Sequence, residues 1–214
     1  MHIPKTKERL QVLLQDESIS LKIIDTSFIN DMSELFKDTK RTDFTGIELW
    51  NTSSVRTMNG MFANAYEFNS DISKWDVSKV ENMDSMFANA YEFNSDISKW
   101  DTSNVKDMAY MFYFARKFNS DISQWNTKNV EFMESMFHWA DSFNQDLSQW
   151  NTKNVRDMSY MFCNALSFNQ DLSQWNTKNV RDMESMFDGA LKFKQDLSKW
   201  DFSNILKYYL YGQE

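Results

Sequence analysis

The chain of 214 residues is rich in Met, Trp and Phe, with 14, 8 and 18 of them, and has only four glycines and one proline. So many aromatic residues exclude intrinsic disorder, and a mean hydropathy of −0.62 without a long apolar run excludes a membrane-spanning helix. The net charge of −8 argues against a nucleic-acid partner, because phosphate backbones are bound by clustered Lys and Arg. The single cysteine excludes an internal disulfide and a cysteine-based zinc site.

The N-terminal part is predicted to hold a cap and an irregular repeat. Residues 4–15 have the apolar spacing of an amphipathic helix, with Leu10, Leu13 and Leu14 on one side, so residues 1–19 are predicted to form a helical cap. No uninterrupted apolar stretch precedes a small-residue cleavage site, so the N-terminus is not predicted to be a secretory signal peptide, and either the protein stays inside the cell or a signal was trimmed. Residues 20–50 are predicted to form a degenerate first repeat.

Residues 51–200 are predicted to contain six repeats of 25 residues. A tryptophan recurs at this interval, and a fixed period of this length is typical of stacked repeat architectures. The periodic tryptophans are Trp50, Trp75, Trp100, Trp125, Trp150, Trp175 and Trp200. Most Met and Phe residues keep the same period, so we expect them to form a stacked core.

Each repeat is predicted to contain one helix and one short strand. Val105, Met108 and Met111 have the spacing of one helical face, whereas residues 118–125 are too short and lack the spacing for a second long helix. A short strand is predicted around residues 122–125. A unit this small cannot bury its own apolar face, so neighbouring repeats must supply the core.

The fold class expected from these elements is an α/β repeat. It is a right-handed leucine-rich-repeat-like solenoid of 25-residue strand-helix units, with caps at both ends. Residues 201–214 are predicted to form a C-terminal helical cap, and the whole chain, residues 1–214, a single solenoid domain.

Polar side chains are predicted to turn the corners of the stacked repeats, because Gly and Pro are rare. In each repeat an Asp stands two residues before a Ser, whose amide it could accept in an Asx turn. Stacking would bring these carboxylates within roughly 5 Å of one another, an array that calcium could neutralise. Asx turns are favoured over calcium because each repeat offers one Asp without companion ligands. The calcium alternative would use Asp71, Asp96, Asp121, Asp146, Asp171 and Asp196.

No residue interrupts the repeat as a catalytic group would, so we predict that the chain is not an enzyme and has no cofactor. His2 lies in the N-terminal tail, and His138 has no second histidine for a metal-binding pair. Cys163 shares a repeat position with His138, and both are predicted to point away from the core. Neither is expected to serve as base, metal ligand or nucleophile.

The variable positions of the predicted helices carry a candidate partner-binding patch. At about 100° per helical residue, five aromatic residues from three neighbouring repeats fall along one edge of the predicted core face. They are Tyr110, Phe114, Phe132, Trp139 and Tyr160. Exposed, contiguous aromatic residues are typical of protein interfaces. The alternative is that these rings pack over the adjoining repeat as an extension of the core.

The repeat pattern F-N-x-D-[IL]-S-x-W-[DN]-x-S-x-V-x-x-M-x-x-M-F-x-x-A occurs six times in near-complete form. It resembles the BspA-like repeat of mycoplasma lipoproteins and of other bacterial surface proteins, over about residues 20–206. The resemblance implies a leucine-rich-repeat-like fold and a surface-exposed protein of the kind implicated in adhesion to a host. It supplies no catalytic residues, and the chain lacks the signal peptide and lipobox cysteine of that family's secreted members.

The expected function is that of a non-catalytic bacterial surface or secreted repeat protein. Its partner would be another protein or a glycan, including one derived from a host. The alternative is a structural spacer or self-assembling repeat unit without a specific ligand. The cell surface or the extracellular space is the expected location, and the cytoplasm is the alternative.

Overall fold

The computed structural model describes residues 1–205, most of which form tight turns. The α-helix α1, Lys7–Leu14, lies inside the predicted N-terminal helix, which is thereby confirmed in its central part. The Thr6 hydroxyl caps α1 by accepting the Arg9 amide at 3.3 Å. Two short 3₁₀ helices follow, Leu21–Ile23 and Ile47–Leu49. None of these described helices has the length and apolar character needed to cross a bilayer.

The predicted strand-helix units, and with them the leucine-rich-repeat-like class, are wrong. Between residues 51 and 205 the described backbone has neither an α-helix nor an extended strand. In place of the predicted helix, overlapping turns are closed by bonds such as Met111 N to Met108 O at 3.2 Å. In place of the predicted strand, the Trp125 amide donates to Ile122 O at 3.1 Å, which makes this segment a turn.

Hydrogen bonds between repeats are the physical reason that no helix forms. In a helix every amide donates to the carbonyl four residues earlier in the same segment. Here alternate amides leave the segment, so that Phe112 N donates to Met136 O at 3.0 Å and Phe114 N donates to His138 O at 2.8 Å. Spacing alone does not separate the two structures, because both turn the same apolar residues inward.

Successive repeats stack on one another in chain order, and each stacked 25-residue unit is termed a coil below. Isolated parallel bridges connect one repeat position through the stack. The bridged residues are Asp31, Thr57, Asn82, Asp107, Phe132, Asp157 and Asp182. From residue 206 onward, the predicted C-terminal helical cap lies outside the described residues.

The predicted stacked core of Met, Phe and Trp is confirmed. Phe112 is fully buried, and its ring lies parallel to those of Phe87 and Phe137, with centroids 5.8 and 5.6 Å away. Within the same coil Phe118 stacks on it at 3.7 Å. The Trp125 indole donates its Nε1–H to Ile97 O at 3.1 Å, a bond repeated in every full coil. Each coil thus contributes the same rings to a continuous interior.

Asparagine side chains connect neighbouring coils on the outside of the stack. Asn69 Oδ1 accepts the backbone amide of Asn94 at 2.8 Å, and Asn94 Oδ1 accepts that of Asn119 at 2.8 Å. The same bond continues through Asn144 and Asn169 at 2.9 Å. These side chains satisfy amides that the turns leave without a backbone partner.

Candidate functional site

The recurring aspartates form the Asx turns that the sequence predicts. In each case Asp Oδ1 accepts the amide of the serine two residues later, at 2.8–2.9 Å, as in Asp96 and Ser98. The amide and hydroxyl of Ser98 lower the pKa of Asp96 from its ordinary value. Within residues 1–205, no group of three or more His, Cys, Asp or Glu is placed to hold a metal ion. The six aspartates therefore have a local structural partner.

Four of the five predicted patch residues have left-handed backbone conformations. Their φ values are 55° at Tyr110, 54° at Phe114, 56° at Trp139 and 55° at Tyr160. Bulky residues rarely adopt positive φ. Most of the equivalent positions hold small or turn-forming residues, and the full set is Glu34, Asp38, Gly60, Asn64, Ser85, Asn89, Ser135, Asn164, Ser185 and Gly189. Three coils therefore carry rings where their neighbours carry residues suited to the turn.

The rings contact one another across coil boundaries. Phe114 stacks on Trp139 of the next coil with centroids 5.5 Å apart, and Tyr113 meets the His138 ring edge-on at 5.2 Å. His138 in turn stacks over Tyr160 at 6.2 Å. We define the aromatic face as Tyr110, Tyr113, Phe114, His138, Trp139 and Tyr160, all partly exposed. It runs along three consecutive coils.

Phe132 lies apart from the aromatic face, with no ring contact to it in the described structure. It occupies the bridged position and is 39% exposed. In neighbouring coils this position holds Asp107 and Asp157, whose Oδ1 atoms accept the amide two residues on at 3.0 and 2.9 Å. A phenylalanine cannot make that bond. Phe132 thus also replaces a turn-forming residue, but at a separate place.

The structure corrects the placement of His138 and Cys163, which were predicted to point away from the core. Cys163 is only 4% exposed, and burial raises the pKa of its thiol to about 11. His138 is half-buried among the rings, and this burial lowers its pKa, against the opposing effect of Asp188. A thiol with a raised pKa is a poor nucleophile at neutral pH.

Tyr113 and His138 were missed as members of the aromatic face because helical geometry directs their position away from its edge. In the observed turns they immediately precede Phe114 and Trp139, and the rings of Tyr113 and His138 both contact Phe114, at 4.7 and 6.1 Å. The sequence did contain an indication of their role, because the repeat position of Tyr113 and His138 varies between coils as much as the position of Phe114 and Trp139. A backbone of overlapping turns was needed to interpret it.

Carboxylates lie next to the aromatic face. Burial raises the pKa of Glu134, and the neighbouring Asp157 adds to this effect. Burial likewise raises the pKa of Asp107. Tyr160 donates its hydroxyl hydrogen to Glu184 Oε1 at 2.7 Å, which helps to raise the Tyr160 pKa to about 12. The face therefore combines apolar ring surface with acceptor oxygens.

Comparison of the amino-acid sequence with known protein families gives a match to one family. A family model described as "Mycoplasma protein of unknown function, DUF285" matches the chain twice, over residues 30–146 and 115–211. No curated protein and no solved structure matches the chain. The two overlapping matches span most of the sequence, as expected for a repeat-containing family. On this basis the chain belongs to the Mycoplasma family DUF285, whose function is unknown.

Proposed function

We propose that this chain is a non-catalytic binding protein that contacts another protein or a glycan through its aromatic face. One observation carries the proposal. Aromatic rings occupy left-handed positions in three coils, where the other full coils have Gly, Asn or Ser. Each such residue costs of order 1–3 kcal/mol relative to a residue that tolerates the conformation.

The fold does not require the aromatic residues that carry this cost. Coils with Asn64 or Asn89 at the position of Phe114 make the same bonds to the next coil, at 2.8 and 2.6 Å, as Phe114 makes at 2.8 Å. The aromatic ring is therefore not needed for stacking. Residues that violate a local preference without helping the fold are concentrated at functional sites.

The composition and exposure of the face also support binding. Tyr and Trp combine a large apolar ring with a polar group and are enriched at the energetic centres of protein interfaces. Arg116 lies over the Phe114 ring at 5.8 Å and adds a cation at the border. The core phenylalanines are fully buried, whereas Phe114 and Trp139 keep part of their surface open to a partner.

The test uses substitutions that other coils already contain. The double variant Phe114→Asn and Trp139→Asn restores the residue found at Asn64 and Asn89. It should be compared with the unchanged chain for saturable binding to a glycan array and to purified host extracellular proteins. We expect binding to be lost while the far-ultraviolet spectrum and the melting temperature stay close to those of the parent. A matched control, Tyr66→Ala, changes an exposed ring outside the face.

Two outcomes would contradict the proposal. Binding that survives the double substitution would exclude the aromatic face as the contact surface. Absence of any ligand, together with concentration-dependent self-association in light scattering, would favour a self-assembling spacer, for which the uniform ring ladders of the core are the supporting feature.

We also propose that the protein acts at the cell surface or after secretion, as a BspA-like adhesin of host tissue would. The proposal is supported by the resemblance of the repeat pattern to the BspA-like repeat of bacterial surface proteins. The family match by itself implies no location. Protease treatment of intact cells that express the natural gene provides the test. Degradation of the protein while a cytoplasmic marker survives is expected, and full protection would place it inside the cell.

A further inference from the structure

We propose that the chain has a second binding site, for an acidic glycan, in a groove at the C-terminal end of the described stack. The groove encloses about 870 Å³, which is within the usual range of ligand pockets. Its lining consists of Glu131, Asn154, Arg156, Asn179, Arg181 and Asn204. It lies on residues that the aromatic face does not use.

The groove has more positive than negative charge. Arg156 forms an ion pair with Glu131 at 3.2 Å, whereas Arg181 has no ion pair among residues 1–205. At the equivalent position in earlier coils, one carboxylate serves two cations, since Glu81 pairs with Arg56 at 3.3 Å and with Lys106 at 2.7 Å. The C-terminal end instead stacks two arginines in successive coils. Guanidinium groups fit carboxylate and sulfate groups with two parallel hydrogen bonds.

The asparagines add hydrogen-bond acceptors to this cationic lining. Asn154 Nδ2 donates to Lys128 O at 2.7 Å, and Asn179 Nδ2 donates to Lys153 O at 2.7 Å. Asn204 makes the same bond to the preceding coil at 2.8 Å. With Nδ2 engaged, the exposed Oδ1 atoms have acceptor capacity for a ligand. Hydroxyl groups are the donors that a sugar presents in number.

The coils that line the groove have more positively charged residues around it than the earlier coils have at the equivalent positions. Exposed Lys153 and Lys178 precede two of its asparagines, where earlier coils have Ser53, Ser78 and Ser103, whereas Ser203 precedes Asn204. Two residues before these lysines, Asn151 and Asn176 stand where two earlier coils have Asp76 and Asp101, although Asp201 keeps a carboxylate at the last such position. A local excess of cations on a chain of net charge −8 would attract an anion to this end of the stack.

The combination of arginines with free carbonyl acceptors favours an acidic sugar over other anions. A nucleic-acid backbone supplies anionic phosphates but few hydroxyl donors for the asparagine oxygens. An acidic peptide matches the arginines but brings few hydroxyl donors. An acidic glycan supplies carboxylate or sulfate groups for Arg156 and Arg181 and hydroxyl groups for the asparagine oxygens.

Calorimetric titration at low salt with heparin oligosaccharides and with oligogalacturonates tests the proposal. Sulfated and carboxylated sugars are compared in this way, with neutral dextran and polyglutamate as controls. We expect either acidic sugar to bind, dextran not to bind, and polyglutamate to bind more weakly. Binding should weaken as salt is added, because exposed charges are screened.

Three variants locate the site. Arg156→Gln with Arg181→Gln should weaken binding by about tenfold or more, since each lost charged contact is worth roughly this factor. Glu131→Gln should strengthen it by removing the competing carboxylate. Arg56→Gln is the matched control at the same repeat position and should leave binding unchanged. The melting temperature of each variant verifies that it is folded.

The proposal is overturned if neither acidic sugar binds, or if the double arginine variant binds as tightly as the parent. Polyglutamate or an oligonucleotide binding as tightly as the sugars would reduce the site to unspecific charge attraction and would overturn the glycan assignment. Tyr66→Ala, which changes an exposed ring outside both the groove and the aromatic face, should leave sugar binding unchanged.

Discussion

The buried phenylalanine ladder and the aromatic face are both rows of rings stacked with the period of the coils, yet they have different origins. Phe112 belongs to a row that every full coil repeats, and it is fully buried. Phe114, two residues later, has a positive φ of 54° and lies in a row of rings that only three coils share. The periodic rings build the stack, whereas the rings that interrupt the turn pattern form the surface that we propose for binding.

The largest expected effect comes from breaking the buried row. Phe112→Ala removes a ring that contacts Phe87, Phe118 and Phe137, and should lower the free energy of unfolding by about 3–5 kcal/mol. Urea denaturation followed by far-ultraviolet circular dichroism measures this loss. Exposed Tyr66→Ala is the matched control and should change little. A loss below about 1 kcal/mol for Phe112→Ala would mean that the ladder does not carry the stability of the stack.

A smaller effect is expected from the indole hydrogen bonds. Trp125→Phe keeps a ring but removes the Nε1–H that Ile97 O accepts at 3.1 Å, so this carbonyl keeps only the Trp100 amide at 3.2 Å. The loss of one hydrogen bond costs about 0.5–1.5 kcal/mol. Trp139→Phe is the control on the aromatic face, where Nε1 has no hydrogen bond to another described residue. Equal losses for the two variants in thermal unfolding would contradict the distinction between the two rows.

A still smaller change is expected when the aromatic face reverts to the pattern of the other coils. Phe114→Asn loses the contact with Trp139 at 5.5 Å but relieves the backbone at a left-handed position. The two effects oppose each other, so the free energy of unfolding should stay within about 1 kcal/mol of the parent. A loss as large as that of Phe112→Ala would show that the face is an extension of the core.

The smallest effects concern protonation. The carboxylates of the turns that build the stack and those beside the aromatic face should have pKa shifts of opposite sign. The Ser78 hydroxyl and amide lower the pKa of Asp76, whereas burial raises the pKa of Glu134 beside the aromatic face. The stabilisation from Asp76 is present above its unfolded pKa and is lost as pH falls through its lowered folded pKa. Glu134 has the opposite sign, because protonation relieves the cost of burying its charge.

Nuclear magnetic resonance titration of the side-chain carboxyl groups measures both shifts. We expect the pKa of Asp76 below 3.8 and that of Glu134 above 4.5. Ser78→Ala should move the Asp76 pKa toward its ordinary value and leave Glu134 unaffected. A Glu134 pKa below 4.5 would contradict the burial described for this side chain.

The sequence predicted the period, the buried residues and the Asx turns, but not the backbone conformation of the coils. Val105, Met108 and Met111 are buried as expected, because their spacing turns them inward in a helix and in overlapping turns alike. Residues 122–125 were assigned to a strand because their segment lacks the length and the spacing of a helix, and the bond from Trp125 N to Ile122 O closes a turn instead. The spacing of apolar residues within one repeat did not reveal that backbone amides donate to carbonyls of the next coil.

The candidate sites show the same division. Tyr110, Phe114, Trp139 and Tyr160 were identified as unusual within the repeat from the sequence, whereas their left-handed conformations and the inclusion of His138 required the structure. The groove with two arginines was not anticipated at all, because its residues come from three coils and from the segment after residue 200, and no local pattern joins them.

By itself, the sequence determined which residues form the repeated interior, since a fixed period places equivalent side chains together in any stacked arrangement. Only the tertiary structure decided how the backbone satisfies its hydrogen bonds and which rings and charges of different coils meet. Those properties depend on partners about 25 residues away, which the order of residues within one repeat does not specify.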